Sequence, residues 1–196
     1  MNKCLLIYLG CLILLSCRSK SGSDMRNVVL HNDNHIPDKR ANEYFETGLQ
    51  YVQRENYGEA KTYFEKADRI CPNLPVILNA IGNCYCGLNF PDHGAPYFEH
   101  ALKADSDFVK TYINYGNCLN GIHDYEKAKE IFYLGLARNS PYAIDRHMLL
   151  FNLARTYYFQ RDKDKALQLL DSVTADTIHD QAYPVAVDMK KQLNTQ

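Results

Sequence analysis

The sequence lacks the features that mark several function classes. Its 22 Lys and Arg residues are balanced by 23 Asp and Glu residues and are nowhere densely clustered, so it offers no phosphate-neutralising surface for nucleic acid. It has no phosphate-cradling glycine loop, no serine in a nucleophile elbow and no His-Glu-x-x-His run. Its seven histidines are scattered. We therefore expect no enzyme activity, no metal or other cofactor, and no nucleic-acid partner.

Long apolar runs are also scarce, and the only one lies at the start of the chain. Lys3 is followed by apolar residues from Cys4 to Leu15, and the run ends in Ser16 and Cys17. This pattern predicts a secretory signal peptide at residues 1–16 that is removed from the mature protein. It resembles a bacterial lipoprotein signal, which implies cleavage before Cys17 and lipidation of its thiol. The alternative is an ordinary secretory signal that contains a cysteine.

The lipoprotein resemblance also implies a location. Several acyl chains on Cys17 would hold the protein stably on a membrane, and we expect no other membrane attachment. Arg18 stands where an aspartate would direct retention at an inner membrane, so the resemblance implies the outer membrane of a bacterial cell envelope. Residues 17–40 are mostly polar and predict a flexible tether. No acidic run follows Cys17, so we expect the domain to face the periplasm.

The rest of the chain is dominated by an internal repeat. Glycines recur at a constant interval, and a phenylalanine follows each of them at a constant distance. The recurring pairs are Gly48 with Phe64, Gly82 with Phe98, and Gly116 with Phe132. Such a period indicates one supersecondary unit stacked several times. Small residues allow two antiparallel helices to approach closely, and the phenylalanine fills the space between them.

The repeat resembles the tetratricopeptide repeat, whose pattern has an aromatic residue, Leu-Gly, Tyr, Ala, Phe, Ala and Pro at fixed offsets. The resemblance implies an all-α, right-handed α-solenoid of about four helix–turn–helix repeats. The fourth repeat starts later than the period requires, so a short insertion near 143–146 is expected before it. The first repeat carries Tyr44, Gly48, Tyr51, Ala60, Phe64, Ala67 and Pro72. The predicted repeats are 41–74, 75–108, 109–142 and 147–178.

The last segment, 179–196, predicts a capping helix. Ala182, Ala186, Met189 and Leu193 form a narrow apolar stripe at helical spacing. A terminal helix with one apolar face closes the end of a solenoid. A degenerate fifth repeat is the alternative.

The cysteines beyond Cys17 are predicted to be buried free thiols, and two disulfides are the alternative in an exported protein. Cys84 and Cys118 occupy equivalent places in adjacent repeats, where packed helices are about 8–10 Å apart. A disulfide needs Cα atoms within about 7 Å. The other two cysteines beyond Cys17 are Cys71 and Cys86.

The resemblance implies a concave groove lined by the first helix of each repeat. A row of asparagines along it is suited to hydrogen bonding with the backbone of an extended peptide, and we expect these side chains to be exposed. Ile113, Phe151 and Tyr158 would take peptide side chains. The alternative is that the asparagines are only tolerated polar residues. The predicted peptide-binding residues are Asn79, Asn83, Lys110, Asn114, Asn117, Asn152 and Arg155, with Asn120 beside them.

The groove lacks the cations of the carboxylate clamp found in heat-shock-chaperone co-factors, because Phe45, Met148 and Asn152 stand at those places. Recognition of a C-terminal carboxylate is therefore not expected. The sequence favours a lipid-anchored scaffold that binds a peptide or protein partner, such as an assembly factor for an envelope complex. An accessory subunit that oligomerises through convex or terminal surfaces is the alternative. A regulator of an envelope enzyme is a weaker one.

Overall fold

The computed structural model describes residues 35–138, 140, 142–175 and 182–195. The predictions about Cys17 and the signal peptide lie outside these residues. No strand occurs in the described ranges, and none of their helices is long and apolar enough to cross a membrane. The helices are α1 (Lys39–Gln53), α2 (Tyr57–Ile70), α3 (Pro75–Gly87), α4 (Pro91–Ala104), α5 (Val109–Gly121), α6 (Tyr125–Leu136), α7 (Ala143–Phe159), α8 (Lys163–Thr174) and α9 (Ala182–Asn194).

Consecutive helices pair into four hairpins, α1–α2, α3–α4, α5–α6 and α7–α8. The second helix of each hairpin packs against the first helix of the next one, and the first helices α3, α5 and α7 also contact one another in order. This neighbour-to-neighbour packing is that of a solenoid. The predicted all-α repeat fold is confirmed.

Each of the first three hairpins is held together by a glycine facing a phenylalanine. Phe64 and Phe98 are completely buried. A Cβ atom on Gly48 would lie 2.5 Å from Cε1 of Phe64, and one on Gly82 would lie 2.9 Å from Cε1 of Phe98. Only a residue without a side chain allows the helices to come this close. The glycine period therefore reflects helix packing.

The turns inside the first, third and fourth hairpins share one arrangement. Asn56, Asp124 and Asp162 stand just before α2, α6 and α8, and each accepts a hydrogen bond from the main-chain N–H three residues later. These side chains satisfy N–H groups that a helix start leaves without a partner. The residue before each cap has a positive φ, for example 58° at Glu55 and 65° at His123.

Stacking explains why the first helices differ in polarity. Glu43 and Gln50 on α1 are exposed. Their counterparts one repeat later, Ile77 and Cys84 on α3, are completely buried because α2 of the preceding repeat covers them. Burial of α3, α5 and α7 therefore depends on their neighbours, as expected when a single repeat cannot bury its own apolar face.

The fourth repeat begins earlier than the sequence predicts. Residues 143–146 were expected as an insertion ahead of a helix starting near His147, but they are helical and extend α7 to 17 residues. This segment contains neither glycine nor proline, so nothing in it interrupts a helix. Asp145 is tied to the preceding turn, since Ser140 Oγ donates to its Oδ2 over 2.6 Å.

The last helix, α9, lies against α8 and α7. Ala182, Ala186 and Leu193 of the predicted apolar stripe are buried there. An ion pair between Lys190 and Asp171 also joins α9 to α8. The apolar stripe thus covers the end of the fourth hairpin, which is the role of a capping helix.

Candidate partner-binding face

The candidate site is the surface built from α3, α5 and α7, which we call the first-helix face. These helices lie side by side because each first helix packs against the next. All predicted binding residues lie on them: Asn79 and Asn83 on α3, Lys110, Asn114 and Asn117 on α5, and Asn152 and Arg155 on α7.

Most of these side chains are less accessible than the sequence predicts. Asn79, Asn114 and Asn152 retain 2 % or less of their surface, and Lys110 and Asn83 retain 4 % and 8 %. Asn117 and Arg155 are half-buried. The expectation of exposed asparagines is therefore wrong for Asn79, Asn83, Asn114 and Asn152. These asparagines are buried because the first helices pack closely side by side. The residue pattern of one helix does not show this packing.

Part of the asparagine row holds neighbouring repeats together. Asn114 Nδ2 on α5 donates to Asn79 Oδ1 on α3 over 3.1 Å. Asn120 Nδ2 on α5 donates to Thr156 Oγ1 on α7 over 2.9 Å. Burial of such amides is tolerated only when hydrogen bonds replace water. Asn79, Asn114 and Asn120 are thus structural links between first helices, and Thr156 is a partner that the sequence pattern did not single out.

The α7 residues form a second polar cluster. Asn152 Nδ2 donates to the main-chain oxygen of Met148 over 2.8 Å. Arg155 Nη1 donates to Asn152 Oδ1 over 2.9 Å, and the guanidinium lies 5.9 Å from the ring centre of Phe151. These contacts fix the orientation of both side chains. Arg155, being half-buried, is the member of this pair with surface left for another molecule.

Three carboxamide oxygens on the face have no hydrogen-bond donor within the part of the chain that the structure describes. They are Oδ1 of Asn83, Asn114 and Asn117. A buried oxygen left without a donor costs about 1–3 kcal/mol. The main-chain N–H of an extended peptide is a donor of the required kind. These three oxygens form a short row across α3 and α5, and each of them is itself buried beneath the surface of the face.

The charge of the face is neutral to basic. The helices α3 and α5 contain no acidic residue, and Lys110 is their only charged side chain. Its Nζ atom lies 5.7 Å from the ring centre of Phe108. On α7, the carboxylate of Asp145 accepts the hydrogen bond of Ser140 described above. A face that carries acceptor oxygens and cations is better suited to the main chain of a peptide than to a positively charged ligand.

Of the predicted apolar contacts, Tyr158 is half-buried and packs against the core, and the other two are buried. Ile113 and Phe151 retain 1 % and 4 % of their surface and belong to the core. The prediction that they receive peptide side chains is wrong because the neighbouring first helices cover them. A small apolar pocket between α1 and α3 was not predicted, and Leu49, Val52 and Asn83 are among the residues that line it.

The structure corrects the prediction of free thiols for two cysteines. Cys86 on α3 and Cys118 on α5 form a disulfide, with their Cα atoms 5.7 Å apart. The sequence argument compared Cys118 with Cys84, which occupies the equivalent position. Cys86 lies two residues further along α3, where the first helices are close enough for a bond.

The other two described cysteines, Cys71 and Cys84, are free. Burial raises the pKa of the Cys84 thiol, an effect that the nearby Lys61 only partly opposes. Because the thiolate is the reactive form, Cys84 is chemically inert at neutral pH. Cys71 is half-buried.

The first helical repeat of this chain matches a known family of repeats. Residues 41–74 match the family model of the tetratricopeptide repeat. The match covers this one segment of the chain. Its bounds coincide with the first repeat predicted from the sequence, and the hairpins that follow it repeat its packing.

Solved tetratricopeptide structures share the fold. PilF of Pseudomonas aeruginosa is 19 % identical with a TM-score of 0.65, over 79 % of this chain and 71 % of that protein. YrrB, described as a tetratricopeptide protein with an unusual peptide-binding site, is 25 % identical with a TM-score of 0.57, over 77 % of this chain and 74 % of YrrB.

Curated tetratricopeptide relatives match over shorter regions. The RNA polymerase-associated protein CTR9 of Caenorhabditis elegans is 26 % identical over 59 % of this chain, and the Hsp70-Hsp90 organizing protein of Triticum aestivum is 27 % identical over 55 %. The matched region is only 10 % and 18 % of those proteins. Tetratricopeptide proteins generally mediate protein–protein interactions, and no catalytic family is indicated.

The three places named for the cations of a carboxylate clamp carry no cation in this chain. Phe45 and Met148 retain 1 % and 9 % of their surface and pack in the core. Asn152 is occupied by its bonds to Met148 and Arg155. A terminal carboxylate therefore finds no matched cationic groups at these three places.

Proposed function

We propose that this protein is a lipid-anchored, non-enzymatic scaffold that binds an extended segment of a protein partner on its first-helix face. The observation that carries the proposal is the polar first-helix face, on which half-buried Asn117 and Arg155 keep part of their side-chain surface accessible. A bound main chain would donate to Asn117 when its carboxamide turns outward, which would also remove the cost of leaving its buried Oδ1 unpaired.

Half-buried Arg155 supports an extended segment as the ligand. It stands on α7, the first helix beyond α5, where an acidic or polar side chain of the segment would meet it. Main-chain hydrogen bonds would supply affinity, and this contact would supply selectivity.

Export to the bacterial envelope is the second part of the proposal. The lipoprotein-like run that ends at Cys17 supports it. The Cys86–Cys118 bond also supports it, since structural disulfides persist in oxidising compartments and are rare in reducing ones. In this setting we propose that the protein faces the periplasm from the outer membrane and assists assembly of an envelope complex.

A peptide-display experiment tests binding at the first-helix face. Random peptides would be selected on the chain with its disulfide intact, and the selected peptide would be titrated against Asn83→Ala/Asn117→Ala. Oδ1 of each side chain has no donor within the described residues, so the variant should fold and be no less stable than the native chain. We expect at least a tenfold loss of peptide affinity. Unchanged affinity would contradict the proposal.

A second candidate function rests on the opposite surface. Tyr133 and Leu134 on α6 are exposed to 45 % and 42 %, adjacent in sequence and on a second helix. Exposed large apolar residues side by side favour contact with another protein subunit. The variant Tyr133→Ser/Leu134→Ser separates the two functions, because it should retain the selected peptide and lose only contacts made through the second helices.

The lipid anchor has its own test. Expression in a Gram-negative host with radiolabelled palmitate should label the native chain and place it in the membrane fraction. The variant Cys17→Ala should be unlabelled. Recovery of label in this variant would contradict lipidation at Cys17.

A further inference from the structure

Aromatic rings cover the junctions between neighbouring hairpins at the edge of the solenoid where the turns inside the hairpins lie. Tyr57, the first residue of α2, packs on Gly87, the last residue of α3, so closely that a Cβ atom on Gly87 would lie 2.6 Å from Cγ of Tyr57. Tyr125, the first residue of α6, stacks on Phe159, the last residue of α7, with ring centres 5.8 Å apart. In both cases the start of a second helix covers the end of the next first helix.

The middle junction lacks such a ring. Pro91 begins α4 and Gly121 ends α5, so these two residues stand at the places that Tyr57 and Gly87 occupy one repeat earlier. A Cβ atom on Gly121 would meet no atom of the described residues within 4 Å. The place that a tyrosine fills at the other two junctions is therefore open. We call this open place, between Pro91 and Gly121, the turn notch.

Two exposed apolar side chains are attached directly beside the turn notch. Phe90, which precedes Pro91, is 55 % exposed, and Ile122, which follows Gly121, is 41 % exposed. Phe90 stands just before α4, at the place where the other three hairpins have a capping Asn or Asp, and it makes no side-chain capping hydrogen bond. The second hairpin thus lacks a stabilising cap and exposes an aromatic ring instead. Large apolar residues exposed close together favour contact with another protein.

The two turns at the notch are acidic. Asp92 and Asp124 are both exposed there. Residues 86–98 and 111–126, which contain these turns, include no Lys or Arg. The next cation along the chain, Lys127, has its Nζ atom over an aromatic ring, 5.5 Å from the ring centre. The charge around the notch therefore complements a basic partner.

We propose that the turn notch binds an aromatic side chain of a protein partner, in a segment where a Lys or Arg lies next to the aromatic residue. The bound ring packs on Gly121 beside Phe90, as Tyr57 packs on Gly87 within this chain. The basic neighbour of the ring lies near the carboxylates of the two turns. This site is separate from the first-helix face and does not depend on the function proposed for that face.

A single tryptophan tests whether the notch holds a ring, without any partner. The native chain contains no Trp, so Pro91→Trp introduces the only indole. Because Tyr57 and Tyr125 begin helices at the equivalent places, we expect this variant to fold. Its fluorescence should lie at shorter wavelength than that of N-acetyltryptophanamide, since the seated ring is shielded from water. Adding Gly121→Gln, which fills the notch, should shift the emission back to longer wavelength. Emission of Pro91→Trp equal to that of the free amide would overturn the proposal.

Peptide display tests the partner. Random peptides would be selected on the native chain and depleted on Pro91→Tyr, in which the chain's own ring closes the notch. Peptides that bind the first-helix face also bind Pro91→Tyr and are removed, so failure of either proposal leaves the other standing. We expect the remaining peptides to carry an aromatic residue next to Lys or Arg.

Each remaining peptide should bind at least tenfold more weakly to Pro91→Tyr and to Phe90→Ser. The variant Tyr133→Ser/Leu134→Ser is the matched control, because it removes exposed apolar side chains elsewhere, and it should bind like the native chain. Remaining peptides without an aromatic residue, or no remaining peptide, would overturn the proposal. Self-association of the native chain that Pro91→Tyr abolishes, measured by sedimentation, would assign the notch to a second copy and overturn the proposed partner.

Discussion

Asn114 donates from Nδ2 to Asn79 Oδ1 over 3.1 Å, and this bond connects α5 with α3 inside the first-helix face. Both residues retain 2 % or less of their surface. The pair links α3 to α5, and Asn114 keeps one unused atom, because its buried Oδ1 has no donor within the described residues.

The variant Asn114→Ala should lower the free energy of unfolding by about 1–3 kcal/mol, because it leaves the buried oxygen of Asn79 without its donor. The measurement is urea denaturation. The matched variant Asn117→Ala removes a buried oxygen that has no donor within the described residues, so it should not lower the free energy of unfolding. Equal losses in the two variants would show that the Asn114–Asn79 bond does not contribute.

The variant Gly82→Ala should destabilise the protein by about 1–3 kcal/mol through overpacking. The added Cβ would lie 2.9 Å from Cε1 of Phe98, whose ring is completely buried. Gly121→Ala is the control, because a Cβ at that place meets nothing within 4 Å. Thermal unfolding should show a lower midpoint for Gly82→Ala and an unchanged or higher one for Gly121→Ala. A native-like midpoint for Gly82→Ala would mean that the hairpin relaxes freely.

Reduction of the disulfide should lower the free energy of unfolding by about 4 kcal/mol, as expected from the chain entropy of the loop it closes. The bonded cysteines are 32 residues apart in sequence. Urea denaturation with and without reductant measures the loss. Cys86→Ala/Cys118→Ala should unfold at one midpoint under both conditions, and a response of this variant to reductant would point to a different bond.

The variant Glu55→Gly should stabilise the protein by about 1 kcal/mol, because Glu55 has a φ of 58° that costs an L-residue strain energy. Asn89 has a φ of 67° at the equivalent turn, and asparagine tolerates this region better. Asn89→Gly should therefore gain less. Thermal unfolding of the two variants compares them, and a larger gain at Asn89 would contradict this explanation.

Stability should fall as the pH rises above about 10. Burial, with a smaller contribution from Tyr85, raises the pKa of Tyr97, and burial likewise raises that of Tyr133. The folded state therefore holds these phenolic protons more tightly than the unfolded chain, in which tyrosine titrates near pH 10. The stabilisation is complete below that pH and is lost as the pH rises through the folded pKa values. Urea denaturation across this range should show a shallower decline in Tyr97→Phe, and an identical decline would exclude a contribution from Tyr97.

The sequence could predict the hairpins because close helix contacts demand particular residue sizes. A glycine on one helix facing a phenylalanine on the next is a local rule, and the structure places Gly48 against Phe64 and Gly82 against Phe98 as expected. The start of α7 was predicted less well, because alignment of repeats shows that residues are added but not that Ala143 and its neighbours continue the helix.

The binding face was predicted only in part. The sequence identified which side chains lie on first helices, and all seven do. It could not distinguish Asn114, which bonds to Asn79, from Asn117, which does not, because both follow the same helical spacing. Their roles remain predictions until the binding experiments are done.

The amino-acid sequence by itself determined the repeat length, the helical hairpin and the order of the stack, since these depend on residue size and polarity at fixed spacing within one repeat. Only the tertiary structure decided the burial of the asparagines and the Cys86–Cys118 bond. Each of these depends on the distance and angle between helices of different repeats. Those quantities result from the packing of the whole stack, and no single repeat encodes them.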